Sequence, residues 1–176
     1  MDIGLLLVRL AVGLILAPHG LQKLFGWFDG PGLRATEEYF RSLGLRPARM
    51  HAVLGGLCEF GGGLLMILGL FSPLGSAVVA GTMLVAISTV AIRRGFFANK
   101  GGIEFPLCLC LSALALAFTG PGRYSLDNPV GLHASGTEWG LAAGALAVLA
   151  ALATLATRWL PEFGHELSPS AASERR

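Results

Sequence analysis

Five apolar stretches follow one another along this chain, each close to the length at which a helix crosses a bilayer, about 20 residues. They cover 3–24, 51–71, 73–92, 103–119 and 139–160, the fourth being the shortest. Lipid leaves few choices of fold. Every backbone N–H and C=O must be satisfied internally, and a helix does this within one segment. Composition points the same way. Hydrophobic residues make up 53% and charged residues 14%, against about 25% charged residues in soluble domains. The chain reads as an all-α membrane protein whose first partner is the lipid bilayer. A formal net charge of +2, without a basic stripe carrying interleaved aromatics, excludes a nucleic-acid partner.

Loop charges give a direction. Let side A be the side of the N-terminus and side B the opposite one. Side B collects Lys23, Arg34, Arg41, Arg46, Arg49, Arg93, Arg94, Lys100, Arg158, Arg175 and Arg176, whereas the side-A loops carry only Arg123. The positive-inside rule then puts B in the cytoplasm, with the N-terminus outside and the C-terminus inside. Trp27, Trp139 and Trp159 fall at span ends, where aromatic belts form. No basic region precedes the first stretch and Arg9 interrupts it, so it is expected to be a retained span rather than a cleaved leader. Between the first two spans, Leu33, Thr36, Phe40 and Leu43 share one helical stripe. That stripe suits either a short helix lying in the interface or a solvated loop helix.

The spans nevertheless contain polar groups. Arg9 lies about two turns into the first span. An arginine near mid-membrane costs about 2.5–3.5 kcal/mol on insertion scales, so it needs a partner or an interior position. His19, Gln22 and Lys23 stand at i, i+3 and i+4 and form one patch on the B-side half of that helix. Glu59 lies in the second span, with Gly55, Gly62 and Gly63 on its face, so it is expected to point into a close helix contact. Asn99 and Glu104 bracket a Gly-Gly turn at the B-side start of the fourth span. Glu104 there either complements the helix N-terminus or joins the others. Polar groups in lipid gain most by meeting one another. Arg9, His19, Gln22, Lys23, Glu59, Asn99 and Glu104 are therefore expected to form a buried polar pocket. It reads either as an ion-pair network fixing helix register or as a head-group or proton-handling site. On side A, Arg123 and Asp127 can pair, and Arg9 can find Asp127 or Glu59.

Cys58, Cys108 and Cys110 lie in apolar runs without zinc spacing, which fits small packing residues and no metal. The chain has no haem-attachment, iron–sulfur or dinucleotide motif. It carries no intrinsic cofactor by motif, and any redox role needs a partner protein.

The runs "RLAVGLILAPHGLQKLFGWF", "GGLCEFGGGLLMILGLFSPLGS" and "FFANKGGIEFPLCLCLSALALAFTGPGRYSLD" resemble the DoxX family of small bacterial membrane proteins. The matching positions are Arg9, His19, Gly20, Lys23, Glu59, Gly62, Gly63, Asn99, Gly101, Gly102, Glu104, Gly120, Gly122, Ser125 and Asp127. Lys100 and Ile103 lengthen the Asn-Gly-Gly-Glu turn, and the fifth span lies outside the resemblance. The resemblance implies a four-helix transmembrane bundle, here with a fifth C-terminal transmembrane helix and a short interfacial helix between helices 1 and 2. The expected organisation is a DoxX-like domain over 1–128, an additional span within 129–160 and a polar, disordered tail over 161–176. The family's loose association with redox chemistry implies the inner membrane of a bacterium, an oxidoreductase partner and a quinone- or thiol-linked system. A small transporter for a polar solute or proton, and a non-catalytic scaffold, are the competing readings of the same buried groups.

Overall fold

The computed structural model describes residues 1–160; the tail expected over 161–176 lies outside the described residues. Six α-helices form and no strand is present among the described residues. They are α1 (Asp2–Phe25), α2 (Gly32–Ser42), α3 (Ala48–Leu68), α4 (Ser72–Thr89), α5 (Glu104–Thr119) and α6 (Thr137–Ala156). Four helical segments, α1, α3, α4 and α6 with its 3-10 extension to Trp159, are long and apolar enough to cross a membrane. α5 has 16 residues, a rise of about 24 Å.

Helix ends follow local chemistry. α1 stops at Gly26 and α3 at Gly69, both in the left-handed region at φ 71° and 61°, where a Cβ is costly. α4 begins with Ser72-Pro73, the proline lying where its missing N–H is not needed.

α1, α3, α4 and α5 pack as a ring in that order, α5 closing back on α1. α6 lies outside the ring, against α4 and α5. Its buried face is Gly140, Ala143, Ala147 and Ala151, while Leu141, Leu149 and Leu152 point outward. Small residues on one stripe let α6 approach closely, and leucines on the rest suit lipid. α2 packs on α3 and α1. The core inside the ring is built from Val12, Leu16, Met66, Val79, Met83, Leu109 and Leu116.

The tightest seam is α1 against α3. A Cβ on Gly20 would stand 2.4 Å from the Phe60 amide nitrogen and 2.5 Å from the Gly56 carbonyl oxygen. One on Gly13 would stand 2.5 Å from the Gly63 carbonyl oxygen, and one on Gly63 2.7 Å from the Ala17 nitrogen. The close contact therefore uses Gly56 and Gly63 with Gly13 and Gly20. Of the glycines expected beside Glu59, Gly55 faces the Phe40 ring of α2 and Gly62 faces Val78 and Val79 of α4. Gly20→Ala is expected to cost about 2 kcal/mol, because backbone cannot move aside for the methyl group. Gly61→Ala, where nothing lies within 4 Å, is expected to be neutral or slightly stabilising through helix propensity. Thermal unfolding of the two variants in detergent separates the cases.

Candidate functional site

The polar groups of α1 divide between the two ends of the bundle. Arg9, 1% exposed, reaches the A end. Its Nη2 donates to the Tyr124 carbonyl, and its guanidinium lies on Gly69, where a Cβ would stand 1.5 Å from Nη1. The cation thus sits at the C-terminal end of α3, the negative end of that helix. The segment after α5 docks on the same place, with Leu126 N donating to the Leu68 carbonyl and Asp127 N to the Gly69 carbonyl, both at 3.0 Å. Asp127 is also 1% exposed. Its carboxylate accepts from Phe71 N at 2.8 Å, Ser72 N at 2.9 Å and Ser72 Oγ at 2.6 Å. It thereby covers the N-terminus of α4 with negative charge.

Arg9 and Asp127 act on each other electrostatically, but Asp127 gives its carboxylate to the start of α4 and Arg9 bonds the Tyr124 carbonyl of the segment after α5. Arg123 does not take Asp127; its backbone N–H donates to Asp2 Oδ1 at 3.0 Å. Arg9 is thus an A-side closure of the bundle, apart from the other groups expected with it.

At the B end, Lys23 Nζ donates to Glu59 Oε1, and the two form an ion pair. Lys23 comes from the last turn of α1, where a cation suits the dipole. Glu59 is in mid-α3 and 5% exposed. Its second oxygen, Oε2, is buried without a protein hydrogen-bond partner. A buried acceptor of this kind calls for water or a ligand.

Two cavities share Glu59 as a wall. The first, about 310 Å³, lies among α2, α3, α4 and α6 and is lined mainly by apolar side chains. Its polar side chains include Lys23, Tyr39, Glu59, His51, Thr82, Thr89 and Thr154, with the Cys58 thiol beside them. The three threonine hydroxyls donate to carbonyls four residues back, at 2.7–2.9 Å, which leaves their lone pairs available. The second cavity, about 380 Å³, lies between α1, α4 and the start of α5 and is lined by Glu59 and His19. His19 Nδ1 donates to the Ile15 carbonyl at 2.8 Å. A carbonyl only accepts, so Nδ1 carries the proton and Nε2 is the remaining nitrogen. A third cavity, about 280 Å³ under α2, is lined by His19, Gln22 and Lys23. The first and second cavities thus meet at Glu59, the second and third at His19, and the first and third at Lys23 and Tyr39.

The other expected members serve local turns. Gln22 Nε2 donates to the Phe28 carbonyl at 3.3 Å and holds the α1–α2 turn. Glu104 Oε2 accepts from Ala98 N at 2.8 Å and closes the turn before α5. Asn99 is exposed. Neither Asn99 nor Glu104 lines the cavity beside His19, although Ala98, Gly101 and Gly102 of their turn do. The structure brings together Lys23 and Glu59, with His19 on the adjoining cavity.

His51 was not singled out by its sequence context. It is 6% exposed, and its Nε2 lies 3.0 Å from Thr157 Oγ1 and 3.3 Å from the Arg46 carbonyl. Thr157 gives its own hydrogen to the Thr154 carbonyl, so His51 donates. Its signal was available: His51, Gly55 and Glu59 stand at successive i+4 spacings on one face. Thr82 and Thr89, seven apart on α4, carry the same kind of signal. α6 contributes more than an outer layer, since Ala150 and Thr154 line the first cavity.

The fold and this geometry define a small multi-pass helical membrane protein with a buried ion pair beside an apolar cavity. The family model for DoxX matches residues 4–92. "Putative oxidoreductase CatD" of Bacillus subtilis is 35% identical over 126 residues, covering 72% of this chain and 86% of that protein. Inner membrane protein YqjF of Escherichia coli is 28% identical over 129 residues, covering 72% and 92%. Inner membrane protein YphA of the same species is 31% identical over 133 residues, covering 70% and 88%. No solved structure matches. The chain belongs to the DoxX family.

Proposed function

We propose that this chain is the membrane subunit or partner of a quinone- or thiol-linked oxidoreductase system, with the cavity beside Lys23 and Glu59 as its ligand site. The supporting observation is the buried Glu59 Oε2, unpartnered, on the wall of an apolar cavity. The name of the CatD relative points to the same class of chemistry. A cavity of about 310 Å³ lies in the size range of small-molecule sites, which combine apolar walls with a few placed polar groups.

The residues fit a quinone ring. Such a ring, when bound, accepts two electrons and two protons. Lys23 Nζ would hold a ring oxygen through a charge-assisted hydrogen bond. Thr82, Thr89 and Thr154 would offer acceptors to hydroxyl groups, and the aliphatic walls would exclude water. Glu59 Oε2 would hold a proton at the cavity wall. His19, on the far side of Glu59, would resupply it through Nε2. Electrons would come from a partner protein, because no carrier motif occurs in the chain. The Arg9 closure at the A end argues against a polar passage through the bundle. The proposed placement is a bacterial inner membrane, N-terminus outside, with the Lys23–Glu59 end toward the cytoplasm.

Purification from the native membrane in mild detergent tests the reading. The expected result is extractable quinone together with a co-purifying oxidoreductase, and loss of the quinone in Glu59→Gln. Recovery of neither quinone nor an oxidoreductase with the wild-type chain would overturn it. A scaffold would show lowered stability in Glu59→Gln while an associated activity stayed intact.

A further inference from the structure

We infer that the turn joining α4 to α5 is a binding site for the headgroup of an anionic phospholipid. The inference is independent of the redox reading above. It begins with the length of α5. A rise of about 24 Å is short of a hydrocarbon core about 30 Å thick, so the flanks of α5 lie within the interface. At the A end the flank is held under Arg9 and Asp127. At the B end it is the turn 93–104.

That turn satisfies its own backbone. Ile103 N donates to the Gly95 carbonyl at 3.0 Å, Glu104 N to Phe96 at 2.9 Å, Gly102 N to Phe97 at 3.0 Å and Gly101 N to Ala98 at 2.8 Å. The Glu104 carboxylate takes Ala98 N. A loop so closed tolerates the partly dry headgroup layer, where unsatisfied amides are costly.

Its side chains then present two chemistries at one place. Phe96 and Phe97 stand edge to face, centroids 5.6 Å apart, and are 52% and 63% exposed. Arg93, Arg94 and Lys100 are exposed beside them. Arg94 lies over Gly101, the residue that follows Lys100, its Nη1 2.8 Å from where a Cβ would be. The cations of α2 are neutralised by Arg34–Glu38 and Arg41–Glu37 pairs. Among the described residues no carboxylate pairs with Arg93, Arg94 or Lys100. Two guanidinium groups and an ammonium match a phosphate, and the two rings match the acyl chains below it. The occupant this fits is a phospholipid with net negative charge, such as phosphatidylglycerol.

Thermal unfolding of the full chain in neutral detergent tests the site. Added phosphatidylglycerol is expected to raise Tm by about 5 °C at saturation. Phosphatidylcholine and inorganic phosphate at the same concentration are expected to leave it unchanged. The triple variant Arg93→Gln, Arg94→Gln, Lys100→Gln is expected to lose the rise, and Arg93→Gln alone to lose part of it. The pair Arg34→Gln, Arg49→Gln, removing B-side charge elsewhere, is expected to keep it. An equal rise with phosphatidylcholine or phosphate would overturn the site. So would retention of the rise in the triple variant, or its loss in the control pair.

Discussion

Lys23→Met is expected to destabilise the detergent-solubilised chain by about 3–5 kcal/mol, because it strands Glu59 as an unpaired buried charge. Glu59 is 5% exposed, and its Oε2 already lacks a protein partner. With Lys23 gone, Oε1 loses its donor too. The reverse change, Glu59→Gln, is expected to cost only about 1–2 kcal/mol. The Lys23 side chain is 26% exposed and can turn its ammonium to the interface. The double variant Lys23→Met, Glu59→Gln is expected to recover most of the loss of Lys23→Met, since it buries no charge. Melting curves of the three variants check this order. Equal losses for both single changes would contradict the burial difference between the partners.

The second large effect lies at the other end of α1. Gly69→Ala is expected to cost about 4 kcal/mol. The methyl group would enter the space of Arg9 Nη1, and the backbone there has φ 61°, a region that side chains rarely adopt. Arg9 would be driven off the Tyr124 carbonyl into an apolar interior. Arg9→Leu is expected to cost about 3 kcal/mol by removing that bond and the charge that faces Asp127. Combining Gly69→Ala with Arg9→Leu is expected to cost less than the sum of the two single changes, because the methyl group no longer meets a guanidinium. A double-mutant cycle by thermal unfolding measures this. Strict additivity would show that Gly69 does not act through Arg9.

The spans were legible because lipid forces long apolar runs into helices, and α2 was legible from the stripe of Thr36 and Phe40. The Gly-Gly contact was legible only in kind. Which glycine touches which backbone depends on the rotation of both helices, so Gly56 and Gly20 could not be chosen from α3 alone. The polar cluster dispersed for a related reason. Gln22 finds the Phe28 carbonyl and Glu104 the Ala98 amide a few residues away, and such local bonds cost less chain ordering than distant ones. Arg9 lies nearly three turns before His19 on α1, a separation that sends the two to opposite ends. His51 escaped notice because it opens a span, where a histidine passes for an interface residue. Its two-turn spacing to Glu59 was the usable clue.

Lys23 and Glu59 form the polar end of the proposed ligand site, and binding of a short-chain quinone analogue tests that most directly. Titrated into the purified chain, the analogue is expected to bind the wild type. Binding is expected to weaken about tenfold or more in Glu59→Gln, and in Thr154→Phe, which fills the cavity from α6. Binding of equal strength in all three proteins, or none to the wild type, would contradict it.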